Sequence, residues 1–259
     1  MNPKTLLAAV DHRPWPLPTQ PWAMRQSWHD LLFAHWPVPA EVLRRLVPSP
    51  LELDTYEGTG WVGVVPFRMS RVYPRHTFAA PWLSAFPELN VRTYVTSPSP
   101  TGPRAGVYFF SLDAGNPVAV ALARRFFKLP YFRAQMALVD QTLSGSGPIH
   151  YTSRRTHRGA PPAALVAHYA PTGGIYHSQP GALEWWLTER YCLYTVDRRG
   201  RVYRGEIHHP PWPLQPAEAE FEVNTMAQAA DITLPDTAPL LHFVRRMDML
   251  AWLLQPVPR

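Results

Sequence analysis

Alternation of apolar and polar residues dominates the chain after residue 60 and predicts β-strands rich in Val, Tyr, Phe and Thr. The predicted strands span residues 61–72, 88–96, 105–112, 134–143, 149–157, 164–169, 191–197 and 201–208. Between the last two, residues 197–200 end in a glycine, as expected for a hairpin turn. Helical spacing is confined to residues 39–47, 118–127 and 181–190. Antiparallel strands with few helices predict an α+β fold built on a barrel or on stacked sheets.

The helix that starts near residue 118 has clear signals at both ends. Asn116 and Pro117 form a strong N-terminal cap pair, and Pro130 disfavours helical geometry in the residue before it. We therefore expect the helix to end by Leu129 and Lys128 to lie at its exit.

Composition indicates one globular domain. The chain has 259 residues, of which 46% are hydrophobic and 17% are charged. Its 31 prolines are spread along the whole length and mark no linker. We expect residues 1–13 to form an N-terminal tail and residues 14–259 to form a single domain.

The net charge and the lengths of the apolar runs limit the classes of partner that the protein is expected to have. The net charge is +6, but the arginines occur as scattered pairs, and no nucleic-acid-binding motif is present. No apolar run approaches the roughly 20 residues that span a bilayer. The apolar stretch at 6–10 is too short for a signal peptide, so a cytoplasmic protein with no nucleic-acid or membrane partner is expected. The sequence leaves the oligomeric state open and is compatible with a homo-oligomer.

Cofactor and metal motifs are missing from the sequence. It contains no glycine-rich phosphate loop and no dinucleotide fingerprint. The single cysteine, Cys192, excludes a cysteine-based zinc cluster and resembles a small buried residue. His208 and His209 would point to opposite faces of a strand, so no shared metal is expected. We expect no cofactor and no metal.

One of only two lysines, Lys128, lies between Phe126-Phe127 and Leu129-Pro130-Tyr131-Phe132. Apolar surroundings disfavour the charged ammonium, and a neutral lysine can form a Schiff base with a carbonyl compound. The alternative is that the stem lies along apolar surface while the amine stays in water.

A second candidate group lies in the predicted strand at 88–96. Alternation places Glu88, Asn90, Arg92 and Tyr94 on one face. These residues could line a polar cavity inside a barrel. They could equally meet solvent, or Glu88 and Arg92 could form a structural ion pair.

Several motifs resemble the acetoacetate decarboxylase-like superfamily. They are LRRLVPSPLELD at 43–54, YFFSLD at 108–113 and NPVAV at 116–120, followed by Lys128. The fuller pattern adds FPELNVRTYV at 86–95, KLPYFRAQM at 128–136 and FVRRMD at 243–248, and it is similar to the YqjF-like family (domain of unknown function 2071) of that superfamily. The resemblance implies a cone-shaped, mainly antiparallel barrel with an additional sheet and a few helices.

The resemblance also implies a site. Lys128 corresponds to the Schiff-base lysine and Glu88 to an active-site glutamate, while Leu129 stands where the decarboxylase has a second lysine. The family's active-site arginine on the first strand has no clear counterpart in this sequence: a gapless extension of the match puts His29 there, and Arg25 is nearby.

We therefore expect a cofactor-independent lyase, a decarboxylase or aldol-type enzyme, that acts on a keto compound through Lys128 and Glu88. The expected substrate-binding residues are Arg92, Asn90, Tyr94, Phe109, Tyr131 and His29. The alternative is a non-catalytic protein that binds a small carbonyl or carboxylate ligand in the same cavity. A basic scaffold is the least favoured hypothesis.

Overall fold

The computed structural model describes residues 1–80, 83–99, 102–140, 147–197 and 199–257. Its α-helices are α1 Pro3–Ala8, α2 Ala40–Leu46, α3 Pro117–Phe126 and α4 Leu183–Thr188, and a short 3-10 helix spans Gln228–Ala230. Its strands are β1 Met24–Val38, β2 Glu52–Leu53, β3 Gly60–Pro74, β4 Phe86–Ser97, β5 Arg104–Ala114, β6 Tyr131–Asp140, β7 Ile149–Arg155, β8 Ala164–Pro171, β9 Cys192–Val196, β10 Val202–His208, β11 Gln215–Asn224, β12 Leu240–Ala251 and β13 Gln255–Pro256. Within these described ranges, no helix has the length and hydrophobicity of a membrane-spanning segment.

Most strands pair in antiparallel fashion. In the described part of the chain, 13 strands form one mixed sheet, with parallel pairs only at β5–β6 and β5–β9. Successive pairings join β5, β9, β10, β12, β1, β3 and β4 and return to β5, so these strands close into a ring. The α+β class is therefore confirmed, and the closed ring is the barrel around which the rest is built.

An outer sheet of β6, β7, β8 and β11 covers one side of this ring. The main apolar core lies between the two layers and includes Leu89 and Val91 of β4 together with Tyr151 and Leu165 of the outer sheet. The hydroxyl of Tyr151 donates a hydrogen bond of 2.7 Å to the backbone carbonyl of Glu88. Residues 89 and 91 therefore face the outer sheet, which leaves the alternate residues of β4 to face the interior of the ring.

Each predicted strand and helix has a counterpart in the structure, and the hairpin of β9 and β10 is confirmed by their pairing. Residues 141–143, the end of one predicted strand, lie outside the described residues. The elements that were not predicted from the sequence are strands β1, β2, β11, β12 and β13, helix α1 and the 3-10 helix. Strand β1 was missed because residues 31–36 are buried on both faces, which removes the alternation.

Residues 1–13 are not a free tail, and this expectation needs correction. Helix α1 places Leu6, which is fully buried, against Leu250 and Trp252. The side chain of Arg13 is also buried and forms a salt bridge with Glu206 at 3.4 Å. Burial of one leucine and one arginine holds this segment on the domain.

Helix α3 ends as expected. The side chain of Asn116 accepts hydrogen bonds from the backbone N–H groups of Val118 and Ala119, and the last helical residue is Phe126. Lys128 follows in a left-handed conformation with a φ of 51°. The chain therefore leaves the helix at Lys128 and enters β6 at Tyr131.

Candidate functional site

A cavity of about 250 Å³ lies inside the ring of strands. Its apolar wall includes Trp28 and Phe33 of β1, Phe67 of β3, Phe109 of β5 and Trp212. The rings of Phe33 and Trp212 meet edge to face with centroids 4.9 Å apart, and Trp28 stacks on Trp212. Apolar cavities of about 150 Å³ hold one benzene ring, so this cavity suits a ligand slightly larger than that.

Three polar residues of β4 face this cavity. Glu88, Asn90 and Arg92 all line it and are 2%, 6% and 9% exposed. The sequence had left solvent exposure and a mutual ion pair as alternatives. Burial rules out exposure to solvent, and the described residues show no salt bridge between Glu88 and Arg92, whose backbones are about 13 Å apart along the strand. Glu88, Asn90 and Arg92, three of the four polar residues that alternation places on one face of β4, thus line the cavity.

Glu88 forms the acidic end of the cavity. Burial raises the pKa of its carboxyl to about 8, with a smaller contribution from nearby Asp113, while a hydrogen bond from Tyr131 acts in the opposite direction. The Tyr131 hydroxyl donates that bond to Oε2 of Glu88 at 2.9 Å. At neutral pH the carboxyl is therefore mostly protonated, and it can donate a hydrogen bond or a proton to a molecule in the cavity.

Two arginines form the basic end. The guanidinium of Arg92 lies 5.1 Å from the ring centroid of Phe33 and 5.8 Å from that of Tyr94. The guanidinium of Arg190 lies 4.9 Å from the Tyr94 ring and forms a salt bridge with Asp54. Within the described residues, Arg92 forms no salt bridge with a carboxylate. Nη2 of Arg92 donates a hydrogen bond of 3.3 Å to the backbone carbonyl of Leu187, but its buried positive charge has no counterion among these residues, and such a charge is costly unless a ligand pairs with it.

Three polar atoms of cavity-lining residues have no hydrogen-bond partner among the described residues. They are Oδ1 of Asn90, Nε of Arg92 and Nη2 of Arg190. Buried polar atoms in proteins are usually hydrogen-bonded, and these three all belong to residues that line one cavity. Two of them are charged N–H donors, and their natural partner is an oxyanion such as a carboxylate.

Lys128 is not among the residues that line this cavity. The expectation that apolar neighbours surround its amine is therefore not met. The residue is exposed, and its Nζ lies 3.4 Å from the ring centroid of Tyr203. The neighbouring Phe127 and Leu129 do line the cavity. Lys128 itself has a left-handed backbone conformation and does not line the cavity, which sequence neighbours alone could not indicate.

The other predicted residues divide into two groups. Phe109 and Tyr131 line the cavity as expected. Tyr94 is fully buried beneath the two arginines, and its hydroxyl lies 2.7 Å from Nε2 of His35. His29 is not among the lining residues; its Nε2 lies 2.8 Å from Oγ of Ser70, and burial together with nearby Arg68 lowers its pKa to about 4. The expectation that Tyr94 and His29 line the cavity is therefore not met.

Arg190, Trp28 and Trp212 were missed as cavity residues. Arg190 follows α4 by two residues, and periodicity does not tell where a side chain points once a helix has ended. Trp212 lies in a Pro-Pro-Trp-Pro sequence outside every predicted element. Its only sequence signal is a large aromatic residue between prolines, and this does not indicate where the side chain points.

No group of three or more potential metal ligands is arranged around a common point in the described ranges. Nε2 of His208 lies 2.8 Å from the carbonyl of Leu6, and Nε2 of His209 lies 3.4 Å from that of Arg190. Each of the two adjacent imidazoles thus has its own backbone partner.

Comparison with known proteins relates the chain to one family and one fold. The model of the family described as "Uncharacterized conserved protein" (DUF2071) matches residues 25–248. The uncharacterized protein YqjF of Bacillus subtilis (strain 168) is 47% identical over 231 residues, which cover 89% of this chain and 91% of YqjF.

Two solved structures show the fold. The enduracididine biosynthesis enzyme MppR, with HEPES buffer bound, superimposes with a TM-score of 0.63 at 11% identity, covering 94% of this chain and 90% of MppR. Acetoacetate decarboxylase from Legionella pneumophila superimposes with a TM-score of 0.58 at 13% identity, covering 98% and 95% of the two chains. The chain therefore has the acetoacetate decarboxylase-like fold and belongs to the DUF2071 family, in which YqjF is a relative along most of its length.

Proposed function

We propose that the protein binds a small, largely apolar carboxylate inside the ring of strands. The ligand carboxylate pairs with Arg92, and Arg190 donates a further hydrogen bond. A carbonyl or hydroxyl at the other end of the ligand accepts a hydrogen bond from the protonated carboxyl of Glu88. The observation that carries the proposal is the buried guanidinium of Arg92, which has no carboxylate partner in the described residues and an unpartnered Nε.

The size and walls of the cavity limit the ligand. About 250 Å³ lined by aromatic rings suits a molecule with one ring or a short branched chain. The similar fold of MppR gives further support, because MppR has been solved in complex with pyruvate, a small keto acid. Keto acids with an apolar body are therefore the first ligands to test.

The test is calorimetric titration of the full chain with paired ligands, such as phenylpyruvate and its amide. The acid should bind and the uncharged amide should bind at least tenfold more weakly, since a hydrogen bond to a charged group contributes about 1.5–3 kcal/mol. Arg92→Gln should lose this preference for the acid. Arg45→Gln, which removes an exposed charge from α2, is the matched control and should retain it.

Equal affinities for acid and amide in the wild-type protein would contradict the proposal. So would an Arg92→Gln variant that is folded and still prefers the acid. The near-ultraviolet circular dichroism of each variant checks folding, because the tryptophans around the cavity report on packing there.

A second candidate function is Schiff-base chemistry at Lys128. It is supported by the positions of Phe127 and Leu129, which line the cavity on either side of Lys128 in the sequence, and by the fold shared with acetoacetate decarboxylase. The amine would have to leave the Tyr203 ring and turn towards the cavity. Its nitrogen would then attack the ligand carbonyl carbon, and the carbonyl oxygen would leave as water after proton transfer from an acid such as Glu88.

Borohydride trapping separates this chemistry from binding alone. Borohydride reduces an imine to a stable secondary amine, so a reactive Lys128 incubated with keto acids should gain the mass of the reduced adduct. Lys128→Arg should remain folded and give no adduct, and the exposed Lys4 serves as an internal control. No adduct on Lys128 across a broad panel of carbonyl compounds would exclude the Schiff-base route and leave the binding function.

A further inference from the structure

A second depression, here called the basic groove, opens between the C-terminal end of α3 and the turn that joins β9 to β10. Its volume is about 620 Å³. The charged residues that line it among those described are Arg124, Arg125, Lys128, Arg199, Arg201 and Asp197. Five cations thus converge on one groove against a single carboxylate, although they come from segments about 70 residues apart in the sequence.

Three of the cations are held in place by contacts with the protein. Nη1 of Arg124 donates a hydrogen bond of 2.6 Å to the carbonyl of Tyr131. Nε of Arg201 lies 2.9 Å from Oδ2 of Asp197. The ammonium of Lys128 lies over the ring of Tyr203. These contacts restrict the side chains before any ligand arrives, which lowers the entropic cost of binding.

The two remaining cations, Arg125 and Arg199, form no salt bridge within the described ranges and are exposed. Asp197 is already occupied by Arg201 and by the backbone N–H groups of Arg199 and Arg201. The groove therefore presents a surplus of positive charge that the protein itself does not neutralise.

The backbone at Lys128 adds a second, independent observation. A left-handed conformation costs a residue other than glycine about 1–2 kcal/mol. The hydroxyl of Thr195 in β9 donates a hydrogen bond of 2.8 Å to the carbonyl of Lys128, which ties the two rims of the groove together. Lys128 thus lines the groove in a strained backbone conformation, and such strain is found preferentially at functional sites.

We propose that the basic groove binds a phosphorylated small molecule, with phosphate oxygens on Arg125, Lys128 and Arg199. Five cations against one carboxylate leave a surplus of four positive charges, which matches a di- or triphosphate. The groove is also lined by Tyr108 and Phe132, which offer rings against which an organic group can pack. Its volume lies in the usual range for small-molecule sites.

This site is distinct from the cavity and does not rest on the function proposed for it. The groove and the cavity share Phe109 and Leu129 as a common wall, but none of the five groove cations lines the cavity. Lys128 acts here as a phosphate ligand in the position that it occupies in the structure.

The test is calorimetric titration of the full chain with pyrophosphate at low and at physiological salt. Pyrophosphate should bind with one molecule per chain, and the double variant Arg125→Gln/Arg199→Gln should bind at least tenfold more weakly. The charge-matched control Arg45→Gln/Arg154→Gln removes two exposed arginines from α2 and β7 and should stay within twofold of the wild type. Both pairs are exposed, so the variants should fold.

Two further titrations determine where the anion binds and what kind of anion the groove prefers. Arg92→Gln should retain pyrophosphate binding. Loss of pyrophosphate binding in this variant would place the anion in the cavity and overturn the proposal. A ten-nucleotide single-stranded DNA that binds more tightly than pyrophosphate, and through the same two arginines, would make the groove part of a nucleic-acid surface instead. Equal pyrophosphate affinity in the wild type and in Arg125→Gln/Arg199→Gln would also refute the assignment.

Discussion

The protonation of Glu88 makes the stability of the protein depend on pH in a predictable way. An unfolded glutamate has its ordinary pKa of 4.5, while burial raises the pKa of folded Glu88 to about 8. Between these two values the folded state keeps a proton that the unfolded state has lost. The contribution of Glu88 is therefore fully present below pH 4.5, and the free energy of unfolding falls as the pH rises towards 8.

The substitution that isolates this effect is Glu88→Gln. Glutamine does not titrate, and its amide oxygen can still accept the hydrogen bond from Tyr131. The stability of the variant relative to the wild type should therefore rise by about 1.4 kcal/mol for each pH unit between 5 and 8, and level off above about pH 8. The total gain should be about 4–5 kcal/mol, a large fraction of the stability of an ordinary domain.

Urea denaturation at pH 5, 6, 7, 8 and 9, followed by tryptophan fluorescence, measures this difference. Other titrating groups are common to both proteins, so most of their effects cancel when the two unfolding free energies are subtracted. Glu220→Gln, at an exposed position of β11, is the matched control and should follow the wild-type pH profile. A difference between Glu88→Gln and the wild type that is flat from pH 5 to 8, or that falls, would refute the reasoning.

Three further predictions concern the scaffold around the site. Arg155→Met should destabilise the protein by about 3–5 kcal/mol, because it leaves the fully buried carboxylate of Asp113, which Arg155 contacts at 2.6 Å, without its charged partner. In a double-mutant cycle measured by urea denaturation, Arg155→Met/Asp113→Asn should recover part of that loss. Leu6→Ala should cost about 2–5 kcal/mol and speed proteolysis of the first residues, whereas an unchanged proteolysis rate would mean that α1 is not anchored by Leu6. Gly106→Ala should lower the melting temperature, since the added methyl group would lie 2.7 Å from the carbonyl oxygen and from the sulfur of Cys192 across the β5–β9 pair, at a cost of about 1–3 kcal/mol; an unchanged melting temperature would contradict that packing.

The local pattern of the sequence was sufficient to predict which side chains of β4 share one face. Alternation in β4 placed Glu88, Asn90 and Arg92 on one face, and the structure has all three facing the cavity. This succeeded because the side chains of a strand alternate by geometry, whatever the strand packs against. The same local logic identified the cap at Asn116 and the end of α3, which depend only on neighbouring residues.

The sequence could not predict where the side chains of Lys128 and Arg190 lie in the folded protein. Lys128 has apolar neighbours in the chain, yet its amine lies over the Tyr203 ring and the residue lines the basic groove. Arg190 reaches the cavity from a segment about 100 residues beyond β4 and meets Arg92 around Tyr94. Alternation and capping act between chain neighbours and are therefore written in the sequence. The side on which an irregular residue projects, and what it meets there, is set by contacts between distant segments, which exist only after the strands have closed into a ring.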